Sequence, residues 1–245
     1  MTPPPSTGEN TARLMSRVWQ LALDLKVDLR WWRIETLSAE QQTHERSKPQ
    51  PYIATTLKIL AALGGRTIVE VGSLRQAMTP PCVARFAERR DSPSAPACCN
   101  DGHSTYFWAR SGLEVHSVDI DERCRGEIER TYRNLGEPLP ANLHLHVPAD
   151  GIDFLAGFAG TIDLLYLDGW DKGTPGYAER HLEAFEAARP RLASRHLVSI
   201  DDTDFDTPEG GKDSLVTPRL LAEGYLPLLR GRQTVFLSGV FDRQN

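Results

Sequence analysis

Cysteine is scarce in this 245-residue chain: Cys82, Cys98, Cys99 and Cys124 are too few, at this length, for a disulfide framework. That usage points to a reducing cytosol. Cys98 and Cys99 lie near His103, but the spacing lacks a CxxC pair, so ordinary loop thiols are expected rather than a zinc cluster. A basic excess is also missing. Lys and Arg number 28 against 33 Asp and Glu, a net charge of −5, which argues against a nucleic-acid partner. No apolar run approaches the ~20 residues that cross a bilayer, so no membrane partner is expected. Residues 1–10 have no basic-then-apolar leader pattern and, rich in Pro, Ser and Thr, read as a disordered tail.

What is present is a set of short apolar runs that stop on acid. Ile162 to Leu167 runs into Asp168, and Leu197 to Ile200 runs into Asp201 and Asp202. Strands buried on both faces read as continuous Val/Ile/Leu runs, which is the habit of parallel α/β sheets. Ligands of open α/β sheets sit beyond the carboxyl ends of the strands. Those three carboxylates are therefore aimed at the place where such a fold does its chemistry.

Helical spacing of Leu14, Val18, Leu21, Leu25 and Leu29, followed by Trp31 and Trp32, predicts an N-terminal helical segment within residues 11–54. It packs on the main domain, caps a substrate pocket, or does both. Residues 38–51 read as a polar linker, and a helix from Thr55 to Leu63 stops at Gly64-Gly65. From there to the C-terminus, strands and helices alternate: strands at Thr67–Val71, Glu114–Val118, Asn142–Val147, Thr161–Leu167 and Leu197–Ile200, with helices between them. A closing hairpin follows, at Tyr225–Leu229 and Gln233–Leu237 around Arg230-Gly231-Arg232. The expectation is one doubly wound, Rossmann-like α/β domain over residues 55–245, with seven strands, the last antiparallel. Residues 74–100, with Pro80, Pro81, Pro93 and Pro96, form an inserted loop of the kind that is usually functional.

Strand one ends Glu70-Val71-Gly72-Ser73, where a glycine lets backbone approach a nucleotide-like ligand. The glycine that should open the next helix is not nearby. It appears after the insertion, at Gly102, before His103, Ser104 and Thr105, so the glycine-rich loop reads as split and Gly72 and Gly102 as one site. Ser104 and Thr105 are placed to cap that helix. Strand two ends on Asp119, whose two carboxylate oxygens suit both hydroxyls of a ribose, while Asp121 reads as a helix cap. Asp150 and Gly151 form a further acidic turn, fit either for the exocyclic amine of adenine or for capping a helix.

Taken in order, Glu70-Val71-Gly72, Asp119, Ala149-Asp150 and Asp168 resemble the signatures of class I S-adenosylmethionine-dependent methyltransferases. The resemblance spans roughly Thr55 to Leu237 and implies that fold, that cofactor, and a cofactor site at Glu70, Gly72, Ser73, Gly102, Ser104, Thr105, Asp119, Ile120, Asp150 and Gly151. Within that superfamily the chain is similar to cation-dependent small-molecule O-methyltransferases of the catechol and macrocin/aminocoumarin sugar types. That likeness implies Mg²⁺ or another divalent cation on Asp168, Asp201 and Asp202, and a small secondary-metabolite substrate. Leu167-Asp168-Gly169-Trp170-Asp171-Lys172 resembles the catechol-type Asp-x-Trp-Lys, with its lysine shifted by one, so Lys172, Asp171 and Asp168 all stand as candidate bases. His103, beside the cofactor loop, is another. Three converging carboxylates need a cation or a raised pKa. The other readings are a metal-independent N- or O-methyltransferase of the same fold, an NAD-type oxidoreductase and a non-enzymatic binding protein. Assembly into homo-oligomers is left open.

Overall fold

The computed structural model describes residues 11–21, 50–73, 75–78, 103–203 and 210–238. Gly102, Trp31, Trp32, most of the 74–100 insertion and residues 204–209 lie outside them, as do Cys82, Cys98 and Cys99. Helix α1 covers 11–21. Then follow α2 (Gln50–Leu63), β1 (Thr67–Val71), α3 (Ser104–Ala109), β2 (Glu114–Val118), α4 (Arg123–Leu135), β3 (Leu143–His146), α5 (Gly151–Gly157) and β4 (Ile162–Leu167). The chain continues through α6 (Tyr177–Ala188), β5 (Leu192–Ile200), α7 (Val216–Ala222), β6 (Leu226–Leu229) and β7 (Thr234–Leu237).

The strands form one seven-stranded sheet in the order β3-β2-β1-β4-β5-β7-β6. Pairing is parallel from β3 through β5, and β7 runs antiparallel to both of its neighbours. Alternation along the central strands splits the core in two. Ile68, Leu164, Tyr166 and Leu197 face one cluster, shared with Val18 of α1, Ile59 of α2, Trp108 of α3 and Ile128 of α4. Val69, Leu165, Leu167 and Val198 face the other, shared with Leu155, Phe185 and Leu220 of α5, α6 and α7. Helices on both faces explain why these strands are mostly apolar, with few polar residues among them.

Several boundaries differ from the sequence reading. Helix α2 begins at Gln50, inside the expected linker, because Pro51 falls in the first turn, where a missing N–H breaks no helical hydrogen bond. Strand β5 begins at Leu192 rather than Leu197, since Ser194, Arg195 and His196 interrupt the apolar run and hide the strand signal. Helix α3 is confined to Ser104–Ala109. Among the described residues, no helix is long and apolar enough to cross a membrane.

Hydrogen bonds that run on past the strand ends align the functional edge. Gly72 N donates to Val118 O, Asp119 N to His146 O, Asp168 N to Val71 O and Asp201 N to Leu167 O. Each acidic residue that closes an apolar run is thereby tied by its backbone to the neighbouring strand, and the acids stand in one row.

Candidate functional site

A cleft of about 400 Å³ opens at this edge. It lies where the sheet order reverses, between β1 and its neighbours β2 and β4, the position at which open α/β sheets bind ligands. Gly72, Ser73, Asp119, Ile120, Asp150 and Gly151 line one part of it, and Asp168 to Asp171 the other.

Gly72 has φ +93°, and a Cβ there would stand 2.5 Å from the Asp168 backbone carbon. Glycine is thus required by the close approach of two strand ends as much as by any ligand. A Cβ on Gly151 would meet Val71 Cγ1 at 2.5 Å, which brings the start of α5 down onto β1. Asp119 is braced through Oδ2 by the Ser73 N–H and through Oδ1 by the Asp121 N–H, both at 2.8 Å. Its carboxylate is held rigid at the cleft wall, beside Ile120, which is 71% exposed. Asp150 caps α5, accepting from Ile152 N and Asp153 N, and also reaches Arg180 Nη2 at 3.4 Å. It therefore caps a helix and lines the cleft at once.

Glu70, Ser104 and Thr105 are placed otherwise than expected. Glu70 is fully buried under the cleft and accepts from Ser104 Oγ (2.5 Å), Thr105 Oγ1 (2.5 Å) and Ser117 Oγ (2.7 Å). Burial pushes its carboxyl up to about 7, against the pull of the three hydroxyls. Ser104 and Thr105 serve this carboxylate rather than capping α3, and His103, in the cap position before it, makes no side-chain cap. A buried carboxylate is a stronger acceptor for them than solvent. The trio anchors α3 to β1 from inside. His103 is also buried, with Nε2 3.1 Å from Gln76 O, and does not line the cleft.

Three carboxylates do converge: one oxygen each from Asp168, Asp201 and Asp202 lies within 4.8 Å of the others. Two cations from the chain already answer them. Lys212 Nζ lies 2.6 Å from Asp168 Oδ1 and 3.2 Å from Asp202 Oδ2. Arg232 Nη2 lies 3.0 Å from Asp201 Oδ2 and 2.5 Å from Asp202 Oδ1. Lys212, with a side chain only 1% exposed, bridges Asp168 and Asp202. These residues as they stand do not fit Mg²⁺, because its ligand oxygens are already engaged by the Lys212 ammonium and the Arg232 guanidinium. Burial alone would lower the Lys212 pKa, but Asp168, Asp202 and Asp201 together raise it, so the ammonium stays charged. Burial, reinforced by Asp201 and Asp202, lifts the Asp168 carboxyl to about 7 despite Lys212.

No protein-family model and no curated protein matches the sequence. Solved structures do match the fold. A caffeoyl-CoA O-methyltransferase-like protein of Staphylococcus aureus superposes with TM-score 0.50 at 10% identity, covering 76% of this chain and 81% of that one. The O-methyltransferase NovP gives 0.50 at 14% identity over 76% and 78%. Cofactor-bound Rv0187 from MTB gives 0.50 at 11% identity, over 99% of this chain and all of that one. This is the class I S-adenosylmethionine-dependent methyltransferase fold.

In that methyltransferase fold the turn after β4 carries backbone strain: Trp170 has φ +33°, and Asp202 after β5 has φ +52°. Non-glycine residues rarely adopt such values, which cluster at functional sites. The strained turn sets Trp170 edge-on to His181 (5.3 Å) and beneath the Arg180 guanidinium (5.5 Å). Asp171 turns outward to Arg75 at 2.7 Å, and Lys172 is not among the cleft-lining residues. Lys212 and Arg232 were missed in the sequence. Lys212 is one residue in a mixed loop and Arg232 one in a hairpin turn, and the only signal was the need of three acids for counter-charge.

Proposed function

We propose that the chain is an S-adenosylmethionine-dependent methyltransferase acting on a hydroxyl of a small molecule such as a secondary metabolite. The carrying observation is Asp168, a carboxylate with its pKa raised to near neutrality, held by Lys212 at the wall of a cleft of about 400 Å³. Gly72, Asp119 and Ile120 supply the cofactor side: a close backbone, a fixed carboxylate for a ribose and an exposed apolar face for a base. Asp168 is the base in this reading, in preference to Asp171 and Lys172. It hydrogen-bonds the acceptor hydroxyl, which attacks the methyl carbon in line with the departing sulfur. The C–O bond forms, the C–S bond breaks with its electron pair going to sulfur, and the hydroxyl proton passes to Asp168. Rate comes mainly from holding oxygen and methyl in line.

The expected divalent cation is not part of this proposal. Lys212 supplies a fixed positive charge beside the reacting oxygen instead. The test is calorimetric titration with S-adenosylhomocysteine and with NAD(H), together with radiolabelled methyl transfer to hydroxylated small molecules. Saturable homocysteine-nucleoside binding with label in an ether product supports the reading. Tight NAD(H) binding with none of S-adenosylhomocysteine would sink it.

A further inference from the structure

Strands β2 and β3 carry a second cluster. Parallel register sets His116 of β2 opposite His144 of β3. Residues two apart on a strand share a face, which adds Glu114 and His146 to the same patch. Donor atoms of Glu114, His116 and His144 all lie within 4.8 Å of one another. Glu114 Oε1 stands 3.1 Å from His116 Nε2 and 3.8 Å from His144 Nε2.

The surroundings order these groups. His116 Nδ1 lies 3.0 Å from His146 Nε2. A proton on that Nδ1, donated to His146, leaves the Nε2 lone pair of His116 on the side of Glu114, whose Oε1 stands 3.1 Å away, while the His144 ring lies stacked on His116 at 4.8 Å. Such an outer hydrogen bond is how metal-binding imidazoles are normally oriented. Phe158 packs edge-on against His116 (4.9 Å) and Phe154 lies 4.3 Å from the His146 ring, which limits rotation of both imidazoles. Glu114 and His144 have side chains 53% and 44% exposed, so an ion reaches them from solvent.

We propose that Glu114, His116 and His144 bind one zinc-class divalent cation. Two imidazoles and a carboxylate are borderline ligands suited to Zn²⁺, Co²⁺ or Ni²⁺, and three protein ligands leave a tetrahedral position for water. The ion joins β3, the sheet's edge strand, to β2. At about 3.3 Å per residue, Glu114 and His116 sit roughly 16 and 10 Å along the strand from Asp119, and none of the three ligands lines the cleft.

The test uses the full chain, free of any affinity tag and stripped with EDTA, titrated with Zn²⁺ by calorimetry and with Co²⁺ by visible absorption. One equivalent should bind, with tetrahedral Co²⁺ bands and a rise in Tm on adding Zn²⁺. Glu114→Gln and His144→Ala, both at exposed positions, should each weaken binding by about tenfold or more, as lost ligation does. Asp201→Asn should leave it unchanged. The inference is overturned if nothing saturable binds, if neither substitution matters, or if Asp201→Asn abolishes binding. None of these outcomes bears on methyl transfer.

Discussion

Lys212 reaches across 44 residues of sequence to place its ammonium 2.6 Å from Asp168 Oδ1, and the same ammonium touches Asp202 at 3.2 Å. With Arg232 on Asp201 and Asp202, two chain cations answer three chain carboxylates.

Removing one partner of such a buried pair leaves uncompensated charge. Lys212→Met should therefore destabilise the fold by about 3–5 kcal/mol, read from urea unfolding at pH 7.5. A loss under about 1 kcal/mol, the range of exposed pairs, would show that the ammonium is not held as described.

If the chain is a methyltransferase as proposed, protein treated with EDTA should keep its full rate of methyl transfer, because Lys212 and Arg232 already supply the counter-charge to the three carboxylates. Loss of activity that returns with added Mg²⁺ would reinstate the metal reading of Asp168, Asp201 and Asp202.

If Asp168 is the base, it works only when ionised. With its pKa lifted to about 7, kcat/KM should rise with pH through 7 and level off above it. Asp168→Asn should lower kcat by roughly 10²–10⁴-fold and flatten the profile. A wild-type rate indifferent to pH between 6 and 8 contradicts the assignment.

Glu70 links stability to pH. Its carboxyl shifts from 4.5 in the unfolded chain to about 7 when buried. Below pH 4.5 it is protonated in both states. Between 4.5 and 7 only the unfolded chain releases the proton, so stability falls as pH rises, by up to roughly 3 kcal/mol. Glu70→Gln should lose less stability than wild type between pH 5 and 8. Equal slopes for the two proteins count against it.

Gly72→Ala should be poorly tolerated, because φ is +93° and the new Cβ meets backbone at 2.5 Å. Strain of this kind costs about 1–3 kcal/mol before the clash is counted. The close approach also carries Asp168, so binding of S-adenosylhomocysteine should weaken in the same variant. A Tm within a degree of wild type would exclude this packing role.

Much was legible in the order of residues. Runs such as Ile162–Leu167 that end on Asp, and a helix stopped by Gly64, determine much of the strand and helix sequence, because buried parallel strands demand mostly apolar residues. The same rule put Asp119, Asp168 and Asp201 at one edge. Only the tertiary structure decided what those acids meet. Glu70 turns inward to three hydroxyls, Asp150 caps a helix while lining the cleft, and Lys212 and Arg232 arrive from distant loops. Coulomb energy depends on distance in space, and periodicity along the chain does not encode which far-off cation will pack beside a given carboxylate.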